Sequence, residues 1–564
     1  IAPGTVVPSG PFAVGDRKTF LVTDSGTSRI LEVEAELRGL GESIYVWVDV
    51  GARVNNADID ALVSAFDGRI YPKVRALWGS EASPGIDGDP RVHTLFTSQI
   101  SPGLLGYFSS DNTYPPELVT ASNAHEMFFM NASALGGVGA LSDVESTLAH
   151  EFQHMIRNNL NANSDTWLNE GLSMFTQVYM GYSDSLFYAN EFALSPYTPF
   201  NTWATDSESS LPYYGSSMLF LTYLYERLGF DALHAISQSD QRAMLAVEQA
   251  LATYGGTTVD EFFADWVIAT LLQDATLADG RYDYALIDFN RPARSSTYNR
   301  YPAVSESALP QYGTRYFELR DLPANGTLTL TLDAATSARL LPTDTASGQF
   351  MWYSNRADDS AKTLTRAFDL TGVSAPVLEF SVWYDIEPLW DYAYLMVSTD
   401  QGATWRTLDT PLTTRDDPHG TSYGAGYTGR SNGWLRESVP LTDYAGQQIL
   451  VRFALITDDA TNHYGMALDD IRLGDAFFDD VEAGESGWEA AGWVRIDNVL
   501  PQRFWLQVAQ VRGDTLTLDR VLWPSQTALR VPVLSGVERA YVALSPIAPY
   551  TTVPARYRLE INAE

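Results

Sequence analysis

The sequence predicts a multidomain protein in which an α+β domain precedes all-β domains of the sandwich type. Three observations carry this. The chain has 564 residues, more than one hydrophobic core organises, so several domains are expected. Strand-like and helical stretches mix in the first part, and the run from Asp143 to Leu272 is then helical throughout, the ordering of an α+β domain. After about Arg294 helical periodicity disappears, and short strands with Gly, Asp and Pro turns recur to the end.

In chain order, residues 1–17 ("APGTVVPSGPFAVGD") are rich in Pro and Gly and read as an extended arm. The chain opens on Ile1, as a processed or trimmed form would. "RKTFLVTD", "RILEVEAELRGLG" and "SIYVWVDVG" read as strands by alternation and β-branched content. "NNADIDALVSAFDGRIYPKVRALWG" has helical spacing, with Asn or Asp as its cap. "RVHTLFTS" and "EMFFMNAS" are again strand-like, separated by a Gly- and Pro-punctuated loop. Four helices follow: "DVESTLAHEFQHMIRNN", "DTWLNEGLSMFTQVYMG", "YYGSSMLFLTYLYERLG" and "TVDEFFADWVIATLLQD". Strands such as "GTLTLTLDA", "VLEFSVWYDI", "QILVRFALI" and "RYRLEINAE" fill the rest.

Composition removes several function classes. A net charge of −34 repels phosphate, so no nucleic-acid partner is expected. No apolar run is long enough for a membrane span. With no cysteine, disulfides and thiolate metal sites are excluded, and a transition-metal site must use His and carboxylate.

Only seven histidines occur, yet two sit four residues apart in "STLAHEFQHMI". On a helix, His150 and His154 share a face and can bind one metal, while Glu151 lies about a third of a turn away and can reach a metal-bound water. This is the H-E-x-x-H arrangement of ligands and general base. A catalytic zinc needs a third protein ligand and an open position. "SDTWLNEGLSMF" offers Glu170, about one turn inside a second helix that Asp165 can cap, with the polar turn "NNLNANS" folding that helix back. Two imidazoles and a carboxylate suit zinc, with iron(II) the rival; the glutamate after the first histidine favours zinc hydrolysis.

"LAHEFQHMI…DTWLNEGLS" resembles the zinc-binding helices of gluzincin metallopeptidases, and among these the hyicolysin-like peptidases; "GYFSSDNTYPPE" and the stretch around "DGDPRVHTLF" share the likeness. The resemblance covers roughly residues 15–280 and implies a thermolysin-like fold. His150, His154 and Glu170 then match the zinc ligands and Glu151 the base. The implied chemistry is attack by zinc-activated water, Glu151 taking the proton and passing it to the leaving amine. An oxyanion donor is also expected; Tyr214, with Tyr213 second, starts a later helix suitably. Asn169 precedes Glu170 as in the resembled families, expected either to hold substrate backbone or to cap the turn. His125 reads as a solvated loop residue and His93 as an ordinary strand residue.

"WYDIE", "STDQGATW", "YAGQ" and "LDDI" resemble the jelly-roll region of immune inhibitor A-type secreted metallopeptidases, although "HMIRNN" lacks the glycine that family carries after its second histidine. The expected division is an arm (1–17), a zinc metallopeptidase domain (18–300), a split β-sandwich (305–347 with 476–564) and a jelly roll (348–475). Asp358 and Asp359 near the first jelly-roll strand, with Asp469 and Asp470 near the last, are expected to hold Ca²⁺. Deleting residues 300–564 is expected to spare short-peptide cleavage but to reduce stability or action on large substrates. The expected function is a secreted bacterial zinc endopeptidase acting on proteins or peptides. The rivals are an aminopeptidase on the same scaffold and an adhesin or glycan-binding protein with a relict protease domain. In the β half, Trp405 and Trp434 are candidates for a glycan platform.

Overall fold

The structure, a computed structural model, describes residues 9–564 except 25–28, 102, 117–118, 120, 137–139, 161–164, 206–207, 240, 359, 459–460 and 462. It is multidomain, with a first part that is largely helical around one sheet and a second part built of β-sheets.

The first sheet contains β1 (Arg17–Asp24), β2 (Arg29–Leu40), β3 (Ile44–Asp49), β4 (Val92–Thr97), β5 (Gly106–Phe108) and β6 (Met127–Asn131) in the order β1-β2-β3-β4-β6-β5. β3, β4 and β6 run parallel, whereas β5 is antiparallel and forms the edge. β3 ("IYVWVD") is buried along its length because both faces are covered. Ile44, Val46 and Val48 face the helices; Tyr45 and Trp47 enter a smaller core with Phe20, Leu95 and Phe129.

Helices α1 (Asn56–Ala65) and α2 (Tyr71–Trp78) follow, joined by a π turn. Asn55 caps α1, accepting from the Ala57 N–H. Helices α3 (Ala140–Leu160), α4 (Thr166–Met180), α5 (Ser185–Leu194), α6 (Leu211–Leu228), α7 (Phe230–Ser237), α8 (Ala243–Ala250) and α9 (Val259–Leu272) complete this part. α3 buries Val144, Leu148, Phe152 and Met155 on the face opposite solvent. α4 ends at Gly181, whose φ of 83° lets the chain turn off the helix. α9 carries a reciprocal capping box between Thr258 and Glu261. The sequence reading missed α5, α7 and α8, which are short or apolar on more than one face.

In the second part, strands from both sides of residues 351–496 share sheets. One sheet joins Ala303–Leu309, Thr327–Ala334, Ala528–Pro532 and Ala555–Ala563; another joins Ser296–Tyr298, Arg315–Leu319, Arg503–Arg512, Thr515–Trp523 and Arg539–Ile547. Two further sheets, built on the long strands Ser360–Asp369, Val377–Ile386, Gln448–Thr457 and Gly465–Leu473, enclose a core of their own.

Strand Arg503–Arg512 explains how the halves join. Its even residues Phe504, Leu506 and Val508 enter the core between the β-sheets, while Trp505, Ala509 and Val511 enter the helical core. The Trp505 indole N–H donates to the Asp260 carbonyl (2.8 Å), and the Gln507 amide to the Ala264 carbonyl (3.2 Å), both on α9. This sheet therefore completes the core of the helical part. Removing residues 300–564 would strip α9 of its partner, so the expectation that short-peptide cleavage survives that deletion is withdrawn.

Candidate metal centre

α3 and α4 lie against each other and bring His150, His154 and Glu170 together. His150 Nε2 and His154 Nε2 are 3.1 Å apart, and Glu170 Oε2 lies 3.2 Å from the first and 3.5 Å from the second. Bonds of about 2.0–2.1 Å in a tetrahedral zinc site require ligand atoms roughly 3.3 Å apart. The triangle fits that demand. The side chains are 12–18% exposed, so a fourth position faces solvent. Glu170 Oε2 is buried with no aligned hydrogen-bond donor, the signature of an atom reserved for a cation.

Electrostatics agree. Burial opposes protonation of His154, but the charges of Glu170 and Glu151 overcome it and push the imidazole up to about 9. Burial would raise Glu170, yet His154 and His150 hold it well below the usual carboxylate range. The set attracts positive charge, which a metal would supply in place of the proton. Ser173 Oγ lies 3.3 Å from both Nδ1 and Nε2 of His154, and its hydroxyl is within reach of the His150 carbonyl oxygen at 3.2 Å.

Glu151, one residue from the first ligand, is largely buried, and its Oε2 accepts from the Phe108 N–H of β5 (2.9 Å). Asn169 faces His154 and favours its charged form. Tyr214, on the first turn of α6, packs edge-on to Trp203 at 4.8 Å and beside Tyr188 at 5.2 Å. Burial first, then the nearby charge of Glu170, raises its phenol well above the usual range, so it stays protonated beside the metal set. Tyr213 points elsewhere: it donates to Glu208 (3.1 Å) and lines a cavity of about 580 Å³ between the helices and the β units. Phe108 and Ser173 were not anticipated. Ser173 was findable, being three residues beyond Glu170 on the same helix face; Phe108 was not, because β5 has only three residues.

Of the aspartates expected to bind calcium, Asp358 and the pair Asp469 and Asp470 take separate partners. Asp358 accepts from Thr166 of α4. Asp469 and Asp470 accept from the Ser347 N–H and hydroxyl. Asp359 lies outside the described residues. Among the described residues of the second, β-sheet part, the carboxylates that do cluster are Glu387, Asp391 and Asp458. Asp165 also departs from expectation, since its side chain makes no cap bond to α4. Trp405 is stacked under Arg452 (3.8 Å), and the Trp434 indole N–H donates to the Asp344 carbonyl (2.7 Å).

A second His/carboxylate set joins Asp87, His93 and His125, all buried. His125 is thus not a solvated loop residue. Its Nδ1 lies 2.7 Å from Asp87 Oδ2 and its ring stacks on His93 with centroids 3.9 Å apart. The Trp47 indole N–H donates to His93 Nδ1 (3.1 Å), so His93 Nε2 carries the proton and faces Asp87 at 3.2 Å.

Residues 324–498 match the family model described as immune inhibitor A-like, MAM domain. The chain is 31% identical over 128 residues to the pre-pro-metalloprotease PrtV of Vibrio cholerae serotype O1, covering 23% of this chain and 13% of that protein. It is 25% identical over 178 residues to the neutral metalloprotease ShpI of Staphylococcus hyicus, covering 29% and 40% respectively. To immune inhibitor A of Bacillus thuringiensis subsp. alesti it is 29% identical over 154 residues, covering 26% and 21%. The matches therefore span less than half of each relative. They link the chain to bacterial metalloproteases. No helix among the described residues is long and apolar enough to cross a membrane.

Proposed function

We propose that this chain is a secreted zinc-dependent endopeptidase whose catalytic unit, residues 18–300, is a thermolysin-like gluzincin. In this reading residues 351–496 form a jelly roll set into a β-sandwich built from strands on both sides of it; Phe477–Asp479, Glu489–Ala491 and Val494–Ile496 pair with the jelly roll, beyond the expected boundary at residue 475. The observation that carries the function is the triangle of His150 Nε2, His154 Nε2 and Glu170 Oε2, with edges of 3.1–3.5 Å beside Glu151. The metalloprotease names of the relatives support it, as does the absence of a membrane-spanning helix among the described residues.

Zinc held by these three residues would polarise the scissile carbonyl and acidify a water. Glu151 uses one carboxylate oxygen to accept from Phe108, which fixes its orientation. Its other oxygen is left to take the water proton and deliver it to the departing amine. Tyr214 keeps its phenolic proton and donates it as a hydrogen bond to the developing oxyanion. β5, at the sheet edge beside Glu151, offers backbone groups to an extended peptide, which favours internal bonds of a polypeptide over a terminal residue. Calcium is not part of this reading, because Asp358 and the pair Asp469 and Asp470 take separate partners.

The test compares N-acetylated with free-amino peptides of the same sequence. Cleavage of internal bonds in both, lost on zinc removal and restored by zinc, is expected. Cleavage confined to the free-amino peptide and to its first bond would sink the endopeptidase assignment.

A further inference from the structure

α4 carries Glu170 but does not cap itself. Asp165 at its N-cap is extended (φ −64°, ψ 139°) and its side chain makes no cap bond. The cap comes from 192 residues away: Asp358 Oδ2 accepts from the Thr166 N–H (3.2 Å) and from the Thr166 hydroxyl (2.6 Å). Asp358 is 2% exposed and lies just before strand Ser360–Asp369. A carboxylate at this point satisfies one of the orphan N–H groups of the first turn and opposes the positive end of the helix dipole. Thr166 and Glu170 are four residues apart, so the anchored residue sits one turn below the metal-facing carboxylate on the same helix face. Burial first, and then Arg242, push Lys362 on the adjoining strand down to about 7, with the charges of Asp358, Asp165 and Asp391 opposing that shift.

We propose that Asp358, supplied by the jelly-roll segment, is a positioning residue for the metal centre: by capping α4 in trans it sets the angle and height at which Glu170 meets His150 and His154. This rests on the reading of Glu170 as a metal ligand. It gives the β half a role in the chemistry without contact with the substrate, since docking of the jelly roll and retention of the metal become one event.

The experiment measures zinc dissociation by chelator competition in the full chain, for wild type, Asp358→Ala, Asp358→Asn, Thr166→Val and Glu170→Gln, with KM and kcat at saturating zinc. Loss of an outer support of a metal ligand weakens metal binding by about 10–100-fold. Asp358→Ala is expected at the lower end of that range, about tenfold, with KM for a short peptide unchanged. Asp358→Asn should recover most of the affinity, because an amide oxygen also caps. Thr166→Val removes one donor only and should fall between, which keeps the test open if Asp358→Ala does not fold. A lowered unfolding temperature with an unchanged zinc dissociation constant in all three would overturn the proposal. If Glu170→Gln binds zinc as wild type does, the metal-site reading itself fails, whatever Asp358 does.

Discussion

Among the described residues of the helical part, two sets of His, His and carboxylate occur, and they are built for opposite ends. In His150, His154 and Glu170 the ligand atoms form a nearly even triangle, open on one side to solvent. In Asp87, His93 and His125 the carboxylate is 2.7 Å from one imidazole, a hydrogen-bond distance shorter than a zinc site tolerates between ligands. The outer partners decide the difference. Ser173, a hydroxyl 3.3 Å from both ring nitrogens of His154, can accept as well as donate and so forces neither tautomer. Trp47, which can only donate, takes His93 Nδ1 and so forces the proton onto Nε2. Phe12 and Phe20 then seal the second set from solvent. Residue types alone do not make a metal site; tautomer and access do.

The largest expected effect separates the two sets outright. His154→Ala should lose bound zinc and peptide hydrolysis together, whereas His125→Ala should keep one zinc per chain; metal analysis of the purified proteins decides this. Zinc lost from His125→Ala and kept by His154→Ala would invert the comparison. Next, Tyr214→Phe should lower kcat by roughly 10²-fold with zinc retained, as removal of an oxyanion donor does, while Tyr213→Phe should change it little. Steady-state kinetics on one N-blocked peptide compares them.

The sealed set should show itself in stability. Asp87→Ala leaves two buried imidazoles without their shared acceptor and should cost about 3 kcal/mol in denaturant unfolding, with zinc content unchanged. The same set should also show as a pH slope. Burial first, and then its neighbour His93, push His125 down to about 3. Below its ordinary value the unfolded chain gains a proton that the folded chain refuses, so stability falls as pH drops from about 6.5 towards 3, by at most about 1.4 kcal/mol per unit. His125→Phe should flatten that part of the curve. Glu126, pushed up to about 7 by burial, slopes the other way between about 4.5 and 7 but is present in both proteins and cancels in their difference.

What was legible in the sequence was local. The spacing of His150, Glu151 and His154 and the apolar stripe of α3 lie within a few turns, and Glu170 follows in the next helix. The strands of the first sheet were readable except β5, too short for any period to register. Nothing near His93 announces that it stacks on His125, because that contact is made by folding of the loop between β4 and β6. Asp358 read as a cation ligand among acidic neighbours, and only the packing of the β half on α4 turns it into a helix cap. Nothing in "RFWLQVAQV" shows that both faces of the strand it forms are buried, one of them under α9. Periodicity reports which residues seek cover, not what covers them.

The central claim is that Glu151 acts as a base beside a zinc ion it does not hold. It is tested most directly by assaying N-blocked peptide hydrolysis and zinc content in wild type and Glu151→Gln. The account predicts one zinc per chain in both, and internal cleavage reduced by about 10²–10⁴-fold in the variant. Undiminished cleavage by Glu151→Gln, or loss of zinc with that substitution, would contradict it.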